Sequence, residues 1–222
     1  MATFSSLIEG VQIRLGEVRG TAADLYSEEV LGAYIQDAFE LVFDELWIPE
    51  YRVILTRDLD ASTGIVTADV ADTTDDEYIA YYKDIQLIFP EDSDQPLRQL
   101  PTRINPSRLS GTYPRYVSPY AGNRLFKVWP IEADSTLTII GRQRPVMPFT
   151  STDELKIDSL LLTMGACWLA MESDSTSPGA AENFQNLFNS RLRTERSNMS
   201  NQPLALNSNS TAYPTEWTEW HD

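Results

Sequence analysis

The sequence predicts an α+β protein in which an α-helical bundle, formed by N- and C-terminal helix pairs, carries an inserted antiparallel β-sandwich or barrel and an extended C-terminal arm. Two changes of texture predict it. Apolar residues recur at three- and four-residue spacing up to Trp47 and again from Asp153 to Ser197, whereas Tyr51 to Arg144 is strand-like and interrupted by proline. Beyond Asn198 the composition turns to Asn, Ser and Pro, with too little apolar surface to fold alone. The expected domains are therefore 1–50 with 150–198 (helical), 51–149 (β) and 199–222 (arm).

A first helix is expected over Thr3 to Arg19, with Phe4, Leu7, Ile8, Val11 and Leu15 inward and Gly16 and Gly20 ending it. Ser27 is the expected N-cap of a second, because Glu28 and Glu29 then occupy a first turn whose backbone dipole favours negative charge. Pro49 stops that helix near Trp47. Leu31, Ile35, Phe39, Val42 and Leu46 form its buried face, and Glu29, Asp37, Glu40 and Asp44 lie elsewhere on it. No Lys or Arg occurs between Arg19 and Arg52, so this acidic face is either screened by solvent or answered by a basic surface from outside the helix.

Arg52–Asp58 and Ile65–Val70 read as strands joined by a hairpin connection at Asp60–Gly64. Asp84–Phe89, Arg124–Trp129 and Thr136–Arg142 are further strands. The intervening stretch, Pro90 to Gly122, holds six prolines and Arg98, Arg103, Arg108 and Arg115. Proline cannot donate to a ladder, so edge strands and long loops on one side of the sheet are expected there. In the C-terminal half, Ile157, Leu161, Met164, Trp168 and Met171 recur at the period of one helix face, with Leu162, Ala166 and Leu169 in a second stripe. A helix apolar nearly all round must be covered by other elements. The stretch falls short of the roughly 18–20 apolar residues a bilayer span needs and is flanked by acids, so it reads as a core helix. A last helix over Gly179 to Ser197 turns Phe184, Leu187, Phe188 and Leu192 inward and carries Arg191, Arg193 and Arg196 toward its C-terminal end.

The formal charge is −16 over 222 residues, and it is unevenly spread. Residues 1–97 carry 5 basic and 21 acidic side chains, net −16; residues 98–144 carry 8 and 2, net +6; residues 145–222 carry 4 and 10, net −6. Such an acidic chain is ill suited to free binding of nucleic acid or an anionic membrane. Arginine makes up 14 of the 17 cations and suits forked pairing with carboxylates at interfaces. Folding within one subunit would neutralise the same mixture, and the sequence leaves both readings open.

Chemistry is thinly represented. The only histidine, His221, rules out a histidine triad or a two-histidine metal site, and the only cysteine, Cys167, lies on the core helix and excludes a disulfide framework. Asp58, Asp60, Ser62 and Asp69 superficially resemble a calcium loop, but Gly64 falls one place late. The run Asp72 to Glu77, with Asp75, Asp76 and Glu77 adjacent, reads as an exposed acidic loop. No phosphate-cradling glycine loop occurs, no cofactor is implied, and no apolar segment follows Met-Ala-Thr-Phe as a signal peptide would, so a reducing cytosol is the expected place of synthesis. In the arm, Tyr213, Trp217 and Trp220 stand in and before a tandem Thr-Glu-Trp repeat. Aromatic anchors on a tether are the material of a docking arm, since Trp and Tyr dominate binding hot spots; a disordered tail or an aromatic clip onto its own domain is the alternative.

The order of elements resembles the head-tail adaptor (connector) proteins of tailed bacteriophages, the group that includes the tail tubular A proteins of short-tailed phages. The resemblance covers residues 3 to 198 and is carried by Phe39 to Tyr51 leading into the first strand and by Leu160-Leu-Leu-Thr-Met-Gly-Ala-Cys-Trp-Leu169 opening the second helical pair. It implies a structural, non-enzymatic virion protein of the neck, assembled in the host cytoplasm. Such a protein forms a ring, usually of twelve copies, beneath the portal protein, extends the DNA channel and offers a platform for the tail nozzle or another tail protein. Genomic DNA would pass without specific binding, and no membrane is involved. On this reading Tyr213, Trp217 and Trp220 dock on the portal. Arg98, Arg103, Arg108 and Arg115 face a neighbouring subunit or tail partner, and Glu29, Asp37, Glu40, Asp44, Asp75, Asp76 and Glu77 line the channel or a subunit interface. The rival reading is a carbohydrate-binding or glycan-cleaving β-sandwich protein, built on exposed tryptophan and paired carboxylates. A different neck or tail-completion protein is a third.

Overall fold

A computed structural model of the protein describes residues 2–19, 26–67, 78–91, 93–101, 103–111, 113–120, 125–174 and 178–199. The chain forms two compact units, one from Met1–Tyr51 with Pro145–Gln202 and the other from Arg52–Arg144.

The helical unit begins with β1 (Ala2–Thr3), which pairs antiparallel with β9 (Glu154–Leu155) and leads into α1 (Phe4–Arg19). Helix α2 (Glu28–Glu45) starts where Ser27 Oγ accepts from Val30 N, 3.3 Å away, so the expected cap is in place. Asp158 caps α3 (Ser159–Ser173) in the same way, its Oδ1 accepting from Leu161 N at 2.9 Å. Pro178 opens α4 (Pro178–Asn198), a first-turn position where its missing N–H costs nothing.

Helix α3 is the centre of this unit. Leu161, Leu162, Ala166, Cys167 and Ala170 are fully buried in a core shared with Leu7, Val11 and Leu15 of α1, Ile35, Phe39, Val42 and Phe43 of α2, and Phe184 and Phe188 of α4. Gly165 makes the approach possible: an added methyl would lie 2.9 Å from Ala38 Cβ on one side and 3.0 Å from Phe188 on the other. At the α2 C-terminus an aromatic cluster closes the core, with Phe149 against Phe39 (5.1 Å) and Phe4 (5.6 Å), and Tyr51 against Phe43 (5.6 Å). One inward assignment fails. Leu187, a turn position about 100° round α4 from Phe188, is 46% exposed, because the contact with α3 accepts only a narrow stripe.

The β unit is a sandwich of two sheets. The first has the order β2 (Arg52–Leu59), β8 (Ser135–Arg142), β4 (Ile85–Pro90); the second runs β3 (Ile65–Thr67), β7 (Leu125–Trp129), β6 (Tyr116–Tyr120), β5 (Arg98–Gln99). Strand β2 alternates strictly enough to show the face it buries, with Val53, Leu55 and Leu59 inward. These meet Leu137 and Ile139 of β8 and, from the facing sheet, Val66, Val117, Phe126 and Val128 in one core. All pairings are antiparallel except β5 with β6.

Two details differ from the sequence reading. Asp60–Gly64 is not a hairpin connection: β2 pairs along its whole length with β8, and β3 pairs with β7 in the other sheet. The chain turns this corner because Asp60 organises it, accepting Ser62 N (2.7 Å) and Ser62 Oγ (2.8 Å) on its carboxylate and Gly64 N (2.8 Å) on its carbonyl. Gly64 sits at φ 65°, a left-handed conformation with no room for a side chain, since an added Cβ would lie 2.3 Å from Ile131 Cδ1. The proline-rich stretch also hides β6, an interior strand. Val117 turns its carbonyl to Leu100 N, and Pro119 faces the same edge two residues on, past the end of β5, where its missing N–H breaks no bond.

Candidate assembly surfaces

On a helix turning 100° per residue, Glu29, Asp37, Glu40 and Asp44 fall within an arc of about 120° on α2 that also holds Val30, Ala33 and Leu41. Glu29, Asp37 and Asp44 are exposed and Glu40 is half-buried; Val30 is 40% and Leu41 41% exposed. The outward face of α2 is therefore acids mixed with aliphatics. Glu45, just past this face, pairs with Arg196 of α4.

The basic segment divides into two groups with different fates. Arg142 and Arg144, both nearly buried, converge on the fully buried Asp84: Arg142 Nε lies 2.9 Å from Oδ1, Arg144 Nε 2.7 Å from Oδ2, and Arg144 Nη2 3.3 Å from Oδ1. The Arg144 guanidinium also sits 5.5 Å from the Tyr81 ring centre, a cation–π arrangement. Sequence reasoning missed this cluster. Arg142 ends β8 and Arg144 lies two residues beyond it, and no local pattern marks either as the partner of an acid some sixty residues earlier.

Arg98, Arg103, Arg108 and Arg115 are instead all exposed, and none has an ion-pair partner among the described residues. Arg103 and Arg108 flank and end the short 3-10 turn Pro106–Arg108, which Asn105 caps by accepting from Ser107 N at 3.1 Å. Arg98 and Arg115 are brought together, since Arg98 N donates to Arg115 O at 2.9 Å. Both line a groove of about 470 Å³ with Pro90, Pro96, Tyr113 and Tyr116. Its one carboxylate among the described residues, Glu91, accepts from Thr136 N at 3.1 Å.

Asp75, Asp76 and Glu77 lie outside the described residues, as do Tyr213, Trp217 and Trp220 of the arm. Among the described residues no group of three or more His, Cys, Asp or Glu is placed to hold a metal ion, and no helix is long and apolar enough to cross a membrane. The Asp60 carboxylate is spent on its own turn; the Ser62 hydroxyl and amide hold its pKa below the ordinary value. Burial pushes the Cys167 thiol up to about 12, which leaves it a structural thiol at neutral pH.

These surfaces suit protein contact: an outward helix face of acids and aliphatics, and four exposed arginines without an ion-pair partner among the described residues. The sequence matches the SU10 adaptor protein family over residues 2–209, nearly its whole length, and the chain belongs to that family. Its role is the structural one of a phage adaptor. No curated protein matches it.

Proposed function

We propose that this adaptor joins the head of a tailed phage to its tail, as a homo-oligomeric ring, twelve-fold by the resemblance, that docks beneath the portal protein, extends the DNA channel and carries the tail. The family match over residues 2–209 is the observation that carries this reading.

A closed ring is built from heterologous contacts, in which two different patches of the same chain face each other across each boundary. The outward face of α2 and the exposed Arg103–Arg108 surface are complementary in charge, and the arginines have no ion-pair partner among the described residues. Exposed Val30 and Leu41 between the acids also favour a protein partner for this face over a wall along which DNA slides. The channel wall is then assigned to Asp75, Asp76 and Glu77, whose carboxylates repel phosphate. Tyr213, Trp217 and Trp220 are the portal-docking anchors, and a ring of arms binds multivalently.

A charge-swap experiment tests the subunit contact. Arg103→Glu with Arg108→Glu should abolish ring assembly on portal while leaving the melting temperature of the monomer unchanged, and Asp37→Arg with Asp44→Arg should restore part of the assembly. Loss of monomer stability matching the loss of assembly would instead show that these arginines serve their own subunit.

The glycan reading has less support. Trp129 is half-buried, with Lys127 Nζ 5.8 Å from its ring centre, and among the described residues the groove beside β5 holds no second carboxylate.

A further inference from the structure

Strand β8 is central in its sheet, so one set of its alternate residues bonds β4 and the other bonds β2. Glu91 N donates to Thr136 O at 2.8 Å, on the β4 side, which leaves Leu137, Ile139 and Gly141 to bond Arg57, Leu55 and Val53 of β2. The β4 ladder agrees: Ile88, opposite Ile139, turns its carbonyl away from β8 and accepts from Leu97 N at 2.7 Å. The amides and carbonyls of Arg52, Ile54, Thr56 and Asp58 therefore point out of the sheet along a free edge. Among the described residues no strand meets them, and no residue of β2 is bonded elsewhere except through Arg57. The side chains of these four residues are exposed, Ile54 by 55%.

A free edge eight residues long is a template for a further strand, and its sequence suits a second copy of itself. In an antiparallel pair centred on Leu55, Arg52 stands opposite Asp58 of the second copy and Ile54 opposite Thr56, and each pairing recurs across the two-fold axis. Those four residues are the ones whose backbone groups are free. One register thus forms both the ladder bonds and two ion pairs.

Arg57 stands in the way. It occupies an inward position between Leu55 and Leu59, yet its Nη1 donates to Thr56 O at 2.7 Å, and that carbonyl lies on the free edge. The guanidinium is folded round the strand onto the line a second strand would take. The pose is unfavourable in itself. Arg57 Nε and Nη2 are shielded from water without a hydrogen-bond partner, and the residue forms no ion pair among the described residues. A charge turned inward on an edge strand is one of the means by which natural sheets avoid edge-to-edge association.

We infer that Arg57 is a guard, which keeps the β2 edge from pairing with the β2 edge of a second copy and so holds the free protein as single chains. The guard lowers the stability of the β unit and raises the solubility of the edge. It involves no step of portal docking, so either can fail alone.

Light scattering and residue-resolved amide exchange of the full chain test it. Wild type should run at the mass of one chain. Arg57→Val should run at the mass of two, with slowed exchange at the amides of Ile54 and Thr56, which the β8 ladder leaves unprotected. Thr56→Pro removes an edge amide and no bond to β8, and should return the Arg57→Val protein to one chain. Arg52→Asp should weaken pairing of the Arg57→Val protein roughly tenfold, and adding Asp58→Arg should restore it. Arg57→Thr repeats the test should valine impair folding, and circular dichroism melting reports whether each variant is folded. A folded Arg57→Val or Arg57→Thr protein that stays a single chain, a wild type that pairs as readily, or pairing indifferent to Thr56→Pro would overturn the inference.

Discussion

Arg144 reaches sixty residues back along the chain to Asp84, its Nε 2.7 Å from Oδ2 in the interior of the β unit, where the carboxylate is wholly shielded from water. Arg142 takes the other oxygen at 2.9 Å. One acid thus ties the turn before β4 to the end of β8, the central strand of its sheet. Removing one member of a buried ion cluster leaves the others desolvated and uncompensated, which costs about 3–5 kcal/mol. Asp84→Ala should therefore lose that much stability in urea titrations of the full chain. A loss below about 1 kcal/mol would show that the two arginines are satisfied without it.

Tyr82 makes the opposite case. Its ring fills the sandwich core near Phe126, 6.3 Å between centres, but its hydroxyl is buried without a hydrogen-bond partner among the described residues. Burial raises its pKa well above the ordinary phenol value. A buried polar group left unsatisfied costs about 1–3 kcal/mol. Tyr82→Phe should consequently keep or raise the melting temperature, whereas most core substitutions lower it. A clear drop on thermal denaturation would reveal a hydroxyl that is bonded after all.

Asp158 gives the fold a pH dependence with a definite sign. Burial pushes its carboxyl up, but the Leu161 amide and the Arg191 guanidinium, Nη2 to Oδ2 at 2.6 Å, outweigh burial and leave the pKa below the ordinary value. A depressed pKa means stabilisation that is complete above the unfolded-state value and lost as pH falls through the folded one. Asp158→Ala should cost about 0.5–2 kcal/mol at pH 7 through loss of the α3 cap. The gap between variant and wild type should narrow from about pH 4 downward. A gap that stays constant to pH 2.5 would contradict this.

Legibility followed the range of the interactions. Helix limits were readable because Ser27, Pro49 and the four-residue spacing of Leu31, Ile35 and Phe39 act within a turn or two of themselves. The central place of α3 was readable from a segment too apolar to face water on any side. Strand partners were not, since the β2 partner lies more than seventy residues away in β8, and Asp60–Gly64 carries the same residue types whether it closes a hairpin or turns a corner between sheets. Strand β6 was masked by Pro119, which tolerates its position only because β5 is two residues long.

For the surfaces, the sequence located the basic segment correctly but could not divide it. Arg142 and Arg144 differ from Arg98 and Arg115 in having Asp84 within reach, and nothing in the local sequence of either pair announces that contact. Likewise the acids of α2 were visible as a face, whereas the exposure of Val30 and Leu41 among them depends on where the core stops.

The proposed function has the adaptor form a ring and its arm take hold of the portal. Light scattering of the purified protein, alone and then mixed with portal rings, tests it most directly, with a chain lacking residues 201–222 run in parallel. The account predicts a portal complex heavier by the mass of a full ring of adaptors, and no complex with the shortened chain although it remains folded. A protein whose mass is indifferent to portal, or a shortened chain that joins the portal as well as the full one, would contradict it.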